Sequence, residues 1–409
     1  MPVLTGARLV AIVCAAQVLV QIGAYFWPAL MPSLIPLWGL SNSEAGWVTA
    51  IFYGAYLVCV PVLVTLTDRI DAKRVYLFGV ACTVAAHVVF GLYADGFWTA
   101  LATRALAGMG WAGTYMTGLK LLADRVDAKL MSRAVSGHAA GIGVSGALSY
   151  ACAGLLADGF GWRAAFVIVG LSAAIAWITV AAAVPGRARP AGVATSPLFD
   201  FRPVFRNRSA MAYSIGYCIH TLEMNALRGW GVVFLGFVAA NTGLQQTPFS
   251  PIAVLTGLGL LGTVATVLGN EAAIRYGRRY LIAFAMLASV SVAAAIGFVG
   301  TWSYSVAAGL LLFYGFIVWL DSSALTAGSA GSADPARRGA TLAVHSMLGY
   351  AGGFVGPLMI GVILDMSGGM SAAAWRSAFL AVAGLMLLAL IAFVAMRPRE
   401  LVGDKGGAP

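Results

Sequence analysis

The chain has 409 residues, of which 60% are hydrophobic and only 10% charged, with mean hydropathy +0.88 and a formal net charge of +10. A soluble domain of ordinary composition is about a quarter charged, so charge cannot cover this surface and its solvent is lipid. Long unbroken apolar runs, without alternation at every second residue, exclude a barrel and leave helices that satisfy their own backbone.

Twelve spans are expected in chain order, at about 8–31, 43–66, 75–94, 98–122, 134–156, 162–184, 210–239, 248–270, 280–301, 303–329, 340–364 and 374–396. The first run continues too long for a cleaved signal segment and reads as a retained helix. Fifty glycines suit close helix approach in lipid. The five cysteines are scattered through apolar runs with no CxxC, so they read as small hydrophobes and imply no metal. The fold class expected is an all-α membrane protein of twelve transmembrane helices in two pseudo-symmetric six-helix bundles. The bundles cover 1–185 and 210–409, joined by a linker over 186–209 that is rich in Pro and Arg.

Charge gathers on one side of these spans. Twenty of the 25 Lys and Arg fall in the termini and alternate loops, two (Arg163 and Arg376) on the other side, and three (Arg104, Lys120, Arg228) within spans. By the positive-inside rule this places both termini and the linker in the cytoplasm of a bacterial inner membrane. It also accounts for the basic pI without a nucleic-acid partner. The densest burst is the second–third loop, Val64-Thr65-Leu66-Thr67-Asp68-Arg69-Ile70-Asp71-Ala72-Lys73-Arg74, with a weaker copy at Asn270–Arg279.

The halves repeat. Gly161-Trp162-Arg163-Ala164-Ala165-Phe166 opens the sixth span and Ala374-Trp375-Arg376-Ser377-Ala378-Phe379 the twelfth. Gly154-x-x-x-Asp158 matches Gly361-x-x-x-Asp365, and at the same offset His138 lands on His345. Parallel six-helix repeats are a transporter architecture.

With six plus six spans and Leu66, Asp68, Arg69, Lys73 and Arg74 in that loop, the chain resembles the major facilitator superfamily. Val64 and Asp71 stand where its loop pattern has glycine, and Ala72 where it has a base. The second copy keeps Arg275, Gly277, Arg278 and Arg279 but has Ile274 at the aspartate position. Arg104-x-x-x-Gly108-x-Gly110 is similar to the family's Arg-bearing fourth-span motif. Within the family, His220 to Trp230 and Asp321 to Gly328 look like the nitrate/nitrite-porter and cyanate-permease branch. Spans 43–66 and 248–270 lack the arginines with which nitrate porters hold their anion. The resemblance implies that spans one, four, seven and ten line a central cavity, and that the charged loops form a gate. In that gate Asp68 would meet the eleventh span and Arg69 or Arg74 would pair with Asp124, with Lys73, Arg275, Arg278 and Arg279 in the same role.

Ionisable groups inside spans are costly and are functional candidates by default. Arg104 shares a helix face with Gly108, Trp111 and Tyr115, which reads either as an anion site or as a structural Arg bonding helix-end carbonyls. His220, Glu223 and Arg228 make the seventh span the most polar; they serve proton coupling or substrate contact, or an interhelical bridge that only holds the bundle. Asp321, with Tyr314 on its face, is either a protonatable site or the partner of Arg104 or Arg228. Gln17, Gln21 and Tyr25 form a stripe at i, i+4, i+8 able to hydrogen-bond a substrate. His345 and its repeat mate His138 read as substrate contact or as packing.

The function expected is secondary active transport of a small anionic solute by rocker-switch alternating access. Substrate contacts would be Arg104, Tyr115, Trp111, Gln17, Gln21, Tyr25, Arg228 and His345; proton coupling would fall to Glu223, Asp321 and His220. A drug or metabolite exporter, and a non-transporting signalling or assembly protein, are the alternatives. No nucleotide loop or nucleophile turn is present, so neither an enzyme nor a cofactor is expected. The partners are the bilayer, a small solute and protons, and the protein is expected to be a monomer.

Overall fold

A computed structural model describes residues 6–67, 69–187, 201–244, 246–334 and 337–406, with backbone only at 128, 129, 132 and 136. The chain is 85% helical, with no strand among the described residues. Its helices are α1 Ala7–Gln21, α2 Phe26–Trp38, α3 Asn42–Leu66, α4 Ala72–Tyr93, α5 Phe97–Ala123, α6 Ala128–Ala183, α7 Arg202–Arg206, α8 Arg208–Asn241, α9 Pro251–Tyr276, α10 Arg278–Val299, α11 Tyr304–Trp319, α12 Ser322–Gly331, α13 Arg338–Met366 and α14 Ala372–Met396.

These helices form twelve transmembrane spans in two pseudo-symmetric bundles. Among the described residues, nine helical stretches are long and apolar enough to cross a membrane. One of them, α6, is two crossings interrupted at Gly161, where φ is 79°, a region open to glycine at little cost. The helices α5 and α8 are long enough but fall outside the nine, because Arg104 in one and His220, Glu223, Asn225 and Arg228 in the other lower their hydropathy.

Two spans are broken inside the bundle, which is tolerated where protein groups satisfy the freed backbone. Between α1 and α2, His87 lies within 3.2 Å of the Gly23 carbonyl and Ser149 Oγ accepts from Tyr25 N at 2.9 Å. Between α11 and α12, Thr266 Oγ1 donates to the Trp319 carbonyl at 3.3 Å. That second break puts Asp321 at the N-cap of α12.

The chain divides into two compact units, Met1–Leu40 with Ile51–Leu198, and Ser41–Ala50 with Phe199–Pro409. In the first, α4 packs between α5 and α6, and α1 lies along α6. Gly79 and Gly113 meet backbone to backbone, so a Cβ on either would collide with the other. Around this contact Leu9, Val13, Tyr76, Val80, Leu121 and Val180 are buried. In the second unit α8 is central, packed on α13, α12, α14 and α11. Tyr213, Ile282, Met286, Leu325 and Phe393 fill one of its cores. Asp365, at the end of α13, accepts from the backbone N–H of Asn42 at 3.1 Å and of Ser43 at 2.7 Å, capping the first turn of α3. Its repeat mate Asp158 is exposed.

Most of the expected linker lies at 188–200, outside the described residues, as does Asp68. The charged loop is held by Asp71, which caps α4 by accepting from Lys73 N at 3.0 Å. Asp71 also pairs with Arg125 at 2.6 Å, both side chains being under 10% exposed, and accepts from Arg187 N at 2.8 Å. Lys73 Nζ donates to the carbonyls of Ala181 and Val184 at the end of α6. Burial pushes the Asp71 carboxyl up, but the Arg125 hydrogen bond, the two backbone N–H groups and the Arg125 charge outweigh it and hold it below the usual carboxylate value. The expected Asp124 contact with Arg69 or Arg74 is not what forms. Asp124 pairs with Lys120 at 2.6 Å and lies 3.8 Å from Arg187, while Arg69 and Arg74 are exposed.

In the second copy Arg275 and Arg279 are exposed, whereas Arg278 is buried. The segment after α14 folds back over this loop. Asp404 takes Arg278 Nε at 2.7 Å and a second guanidinium nitrogen at 2.9 Å, with both side chains 3% exposed. Glu400 accepts from the backbone N–H of Arg278 and Arg279, capping α10. Lys405 N donates to the Ile274 carbonyl at 3.0 Å, and Tyr213 O–H to that of Arg399 at 2.8 Å.

Candidate functional site

Each unit carries a buried polar cluster beside its broken span. In the first unit Arg104 is 3% exposed and its guanidinium sits 4.5 Å above the Phe52 ring. It donates to the Ala24 carbonyl at 3.2 Å, a group freed by the break in span one; its Nε has no hydrogen-bond partner among the described residues. No carboxylate lies within ion-pair distance of it among the described residues. Tyr25, Tyr53, Tyr150 and His87 are in electrostatic reach, and the Tyr25 and Tyr150 rings stack at 5.3 Å.

The stripe expected on α5 is present. Phe52 contacts both Arg104 and Trp111, the latter at 5.3 Å, and its carbonyl lies where a Cβ on Gly108 would be. Tyr115 stacks on His138. The first-span stripe is buried as well. Gln17 Oε1 accepts from Tyr76 O–H at 3.1 Å, while both polar atoms of the Gln21 amide lack partners among the described residues. A cavity of ≈ 10 Å³ adjoins Gln21, Phe52, His87 and Trp111, room for about one water.

In the second unit the pairings differ from the expected ones. The Asp321 carboxylate meets His220, at 2.8 Å from Nδ1, and no ion pair to the expected Arg228 is recorded among the described residues. The contact is within ion-pair range but off hydrogen-bond geometry. The Glu223 carboxylate accepts from Tyr314 O–H, and the Ser289 hydroxyl lies beside it. Arg228 stacks on Trp319 at 4.5 Å. Glu223 and Asp321 are near enough to act on each other electrostatically. His345 lies on the basic-end side of this group, 3.2 Å from Ser214 Oγ and from Thr326 Oγ1, with its ring stacked on Tyr217 at 4.1 Å.

Chemically, the second cluster holds two carboxylates and an imidazole in low dielectric, an arrangement able to take up and release protons. The first presents a desolvated guanidinium and amide groups, which suit an oxyanion. Sequence reading missed Phe52, Trp319 and Tyr217, because an aromatic residue in a span gives no sign of whether it faces lipid or an arginine. The spacing of seven between Tyr314 and Asp321 did flag Tyr314, although its partner is Glu223.

Comparisons agree with this architecture. The chain spans about half the length of the curated relatives it matches: it is 26% identical to human protein spinster homolog 1 over 257 residues, 59% of this chain and 48% of that protein. Among solved structures, a bacterial homolog to the human lysosomal transporter Spinster superposes with TM-score 0.76 at 17% identity, covering 95% of this chain and 96% of that one. The nucleoside transporter NupG superposes with TM-score 0.74 at 14% identity, covering 94% and 98%. These relatives do not support the nitrate/nitrite-porter and cyanate-permease branch that His220 to Trp230 and Asp321 to Gly328 suggested. The family and these structural neighbours are transporters, not enzymes. The sequence matches the Major Facilitator Superfamily over residues 13–327, and the chain belongs to that family of multi-pass membrane transporters.

Proposed function

We propose that the protein carries a small anionic solute across a bacterial inner membrane in exchange or symport with protons, working as a monomer with both termini in the cytoplasm. The observation that carries the anionic reading is Arg104: 3% exposed, bonded to a carbonyl at the break in span one, and without a carboxylate to neutralise it among the described residues. A buried cation is expensive, and a substrate oxyanion would supply the missing partner. Gln21, with its amide unpartnered, and Gln17 and Tyr25 on the same stripe complete the donor set. Glu223, Asp321 and His220 supply the proton site.

A thermal-stabilisation screen of the purified protein against small inorganic anions and carboxylates tests the first part. Stabilising anions should lose their effect in Arg104→Ala; hits unchanged by that substitution refute the anion site. With a solute in hand, Glu223→Gln should abolish uphill accumulation while sparing counterflow exchange, and undiminished accumulation would overturn the proton role.

A further inference from the structure

The two directions leading away from the Glu223–Asp321 pair differ in kind. Toward the end of the second unit where α14 begins, Glu223 borders a cavity of ≈ 20 Å³ walled by Leu227, Trp230, Phe234, Trp375 and Phe379. The one indole N–H there that the structure gives a partner, that of Trp230, is spent on the Pro357 carbonyl at 2.8 Å. Apart from Tyr314, whose O–H is spent on Glu223 itself, that wall is apolar and carries no onward chain of hydrogen-bonding side chains. Toward the basic end the same helices present hydrogen-bonding groups at every turn. Along α8, Ser214, Tyr217 and His220 precede Glu223 at intervals of three, about 13 Å of helix. From α12 come Thr326 and Ser329, and from α13 comes His345.

The contacts join these groups. Asp321 lies at His220 Nδ1. The His220 and His345 rings are each nearly parallel to the Tyr217 ring, at 18° and 17°. One nitrogen of His345 is bonded to Ser214, which in turn reaches Ser329 at 3.2 Å; the other is bonded to Thr326, whose residue is exposed. Among the described residues the titratable groups facing His345 are Tyr217 and His220 on α8; α12 brings hydroxyls, and no carboxylate bears on it.

We propose that His345 is the proton exit of this site, receiving protons from Glu223 and Asp321 by way of His220 and releasing them through Thr326 at the basic end of the second unit. The inference rests on the reading of Glu223 and Asp321 as the proton site. In the transfer, the proton leaves a carboxyl oxygen of Asp321 for His220 Nδ1, making an imidazolium and a carboxylate. His220 then gives up its Nε2 proton, a position without a hydrogen bond among the described residues. One bridging water or a flip of the imidazole carries that proton to His345. His345 accepts on Nδ1 and releases from Nε2 to the Thr326 oxygen, which in the same step turns its own proton from the Ser322 carbonyl to solvent water, so that His345 and Thr326 both return to neutral.

The test needs no solute. In proteoliposomes, an external pH jump is followed by time-resolved infrared at the protonated-carboxyl stretch, with Glu223→Gln identifying the Glu223 band. His345→Gln, which keeps a polar side chain but cannot relay, should slow the change in that band at least tenfold and leave its midpoint pH and the unfolding temperature unaltered. An unchanged rate, or a shifted midpoint at unchanged rate, overturns the relay while leaving the proton site intact. A carboxyl region in which Glu223→Gln removes nothing refutes the proton site itself, and the relay with it. Should His345→Gln fail to fold, Thr326→Val at the exposed end carries the same expectation and the same refutation.

Discussion

Replacing Asp404 by Asn isolates the most buried ion pair at the basic end of the second unit. The Arg278 guanidinium has two nitrogens on the Asp404 carboxylate at 2.7 and 2.9 Å, with both side chains 3% exposed. Removing one member of such a pair leaves an uncompensated buried charge, typically at about 3–5 kcal/mol. Here the low end applies, because Arg278 keeps Asn270 Oδ1 at 3.3 Å and the Ala324 carbonyl at 3.2 Å. A loss of about 3 kcal/mol, roughly a hundredfold in the folding equilibrium, is therefore expected. It should be read by reversible unfolding in mixed detergent micelles, and limited proteolysis should show earlier cleavage after Met396. Arg278→Met combined with Asp404→Leu removes both charges together and should recover to within about 1 kcal/mol of the parent. A single-variant cost below about 1 kcal/mol, or a double variant no better than the singles, would refute the reading that this arginine clamps the segment after α14.

Two further outcomes follow from named contacts. Gly108→Ala would press its Cβ on the Phe52 carbonyl and separate α5 from α3; destabilisation of about 1–3 kcal/mol is expected from overpacking, with loss of any anion-induced stabilisation, since Phe52 also seats Arg104, and a variant with full stability would contradict the packing. Asp71 is held below its ordinary 3.8, so its contribution is complete above about pH 4 and is lost as pH falls through the lowered value; Asp71→Asn should cost about 2–3 kcal/mol at neutral pH, a little under the usual range because Arg125 keeps the Pro185 carbonyl, and the parent and variant curves should converge only in acid, whereas a difference that varies between pH 5 and 8 would refute the assignment.

What the sequence makes legible is whatever depends on a residue's own hydropathy. The spans follow from transfer free energies acting on single positions, and that reading survives at the level of the fold. The breaks in spans one and ten were not legible. Ile22–Tyr25 and Leu320–Asp321 hold no proline, and their interrupted backbone is stable only because His87, Ser149 and Thr266 arrive from other helices. The site followed the same division. Arg104, Glu223, His220 and Asp321 stand out because a charge in lipid demands a reason. Their partners do not stand out: Asp321 went to His220 and Glu223 to Tyr314, and Phe52 under Arg104 is one aromatic among many in an apolar run.

The charged loops show how far a repeat can mislead about partners while being right about position. Counting 207 onward from Asp71 lands on Arg278, so equivalent places at the starts of α4 and α10 carry opposite charges. Each is nonetheless buried in an ion pair, and each ties its loop to chain that follows the sixth span of its own half. In the first unit Asp71 takes Arg125 and the backbone N–H of Arg187, while Lys73 reaches the last carbonyls of α6. In the second, Arg278 takes Asp404 and Glu400 caps α10. What the duplication has kept is the demand at that spot, a helix start that must be anchored where the bundle meets water, and either sign of charge meets it provided the opposite sign arrives from elsewhere in the same half, from the loop after α5 in the first and from the segment after α14 in the second. Reversal of both partners in one half, Arg278→Asp with Asp404→Arg, is thus the substitution this symmetry tolerates best, although Glu400 beside the loop favours the native polarity. Reversing either partner alone sets like charges against each other in a buried place and should give the largest drop in unfolding temperature of any change at this end of the molecule.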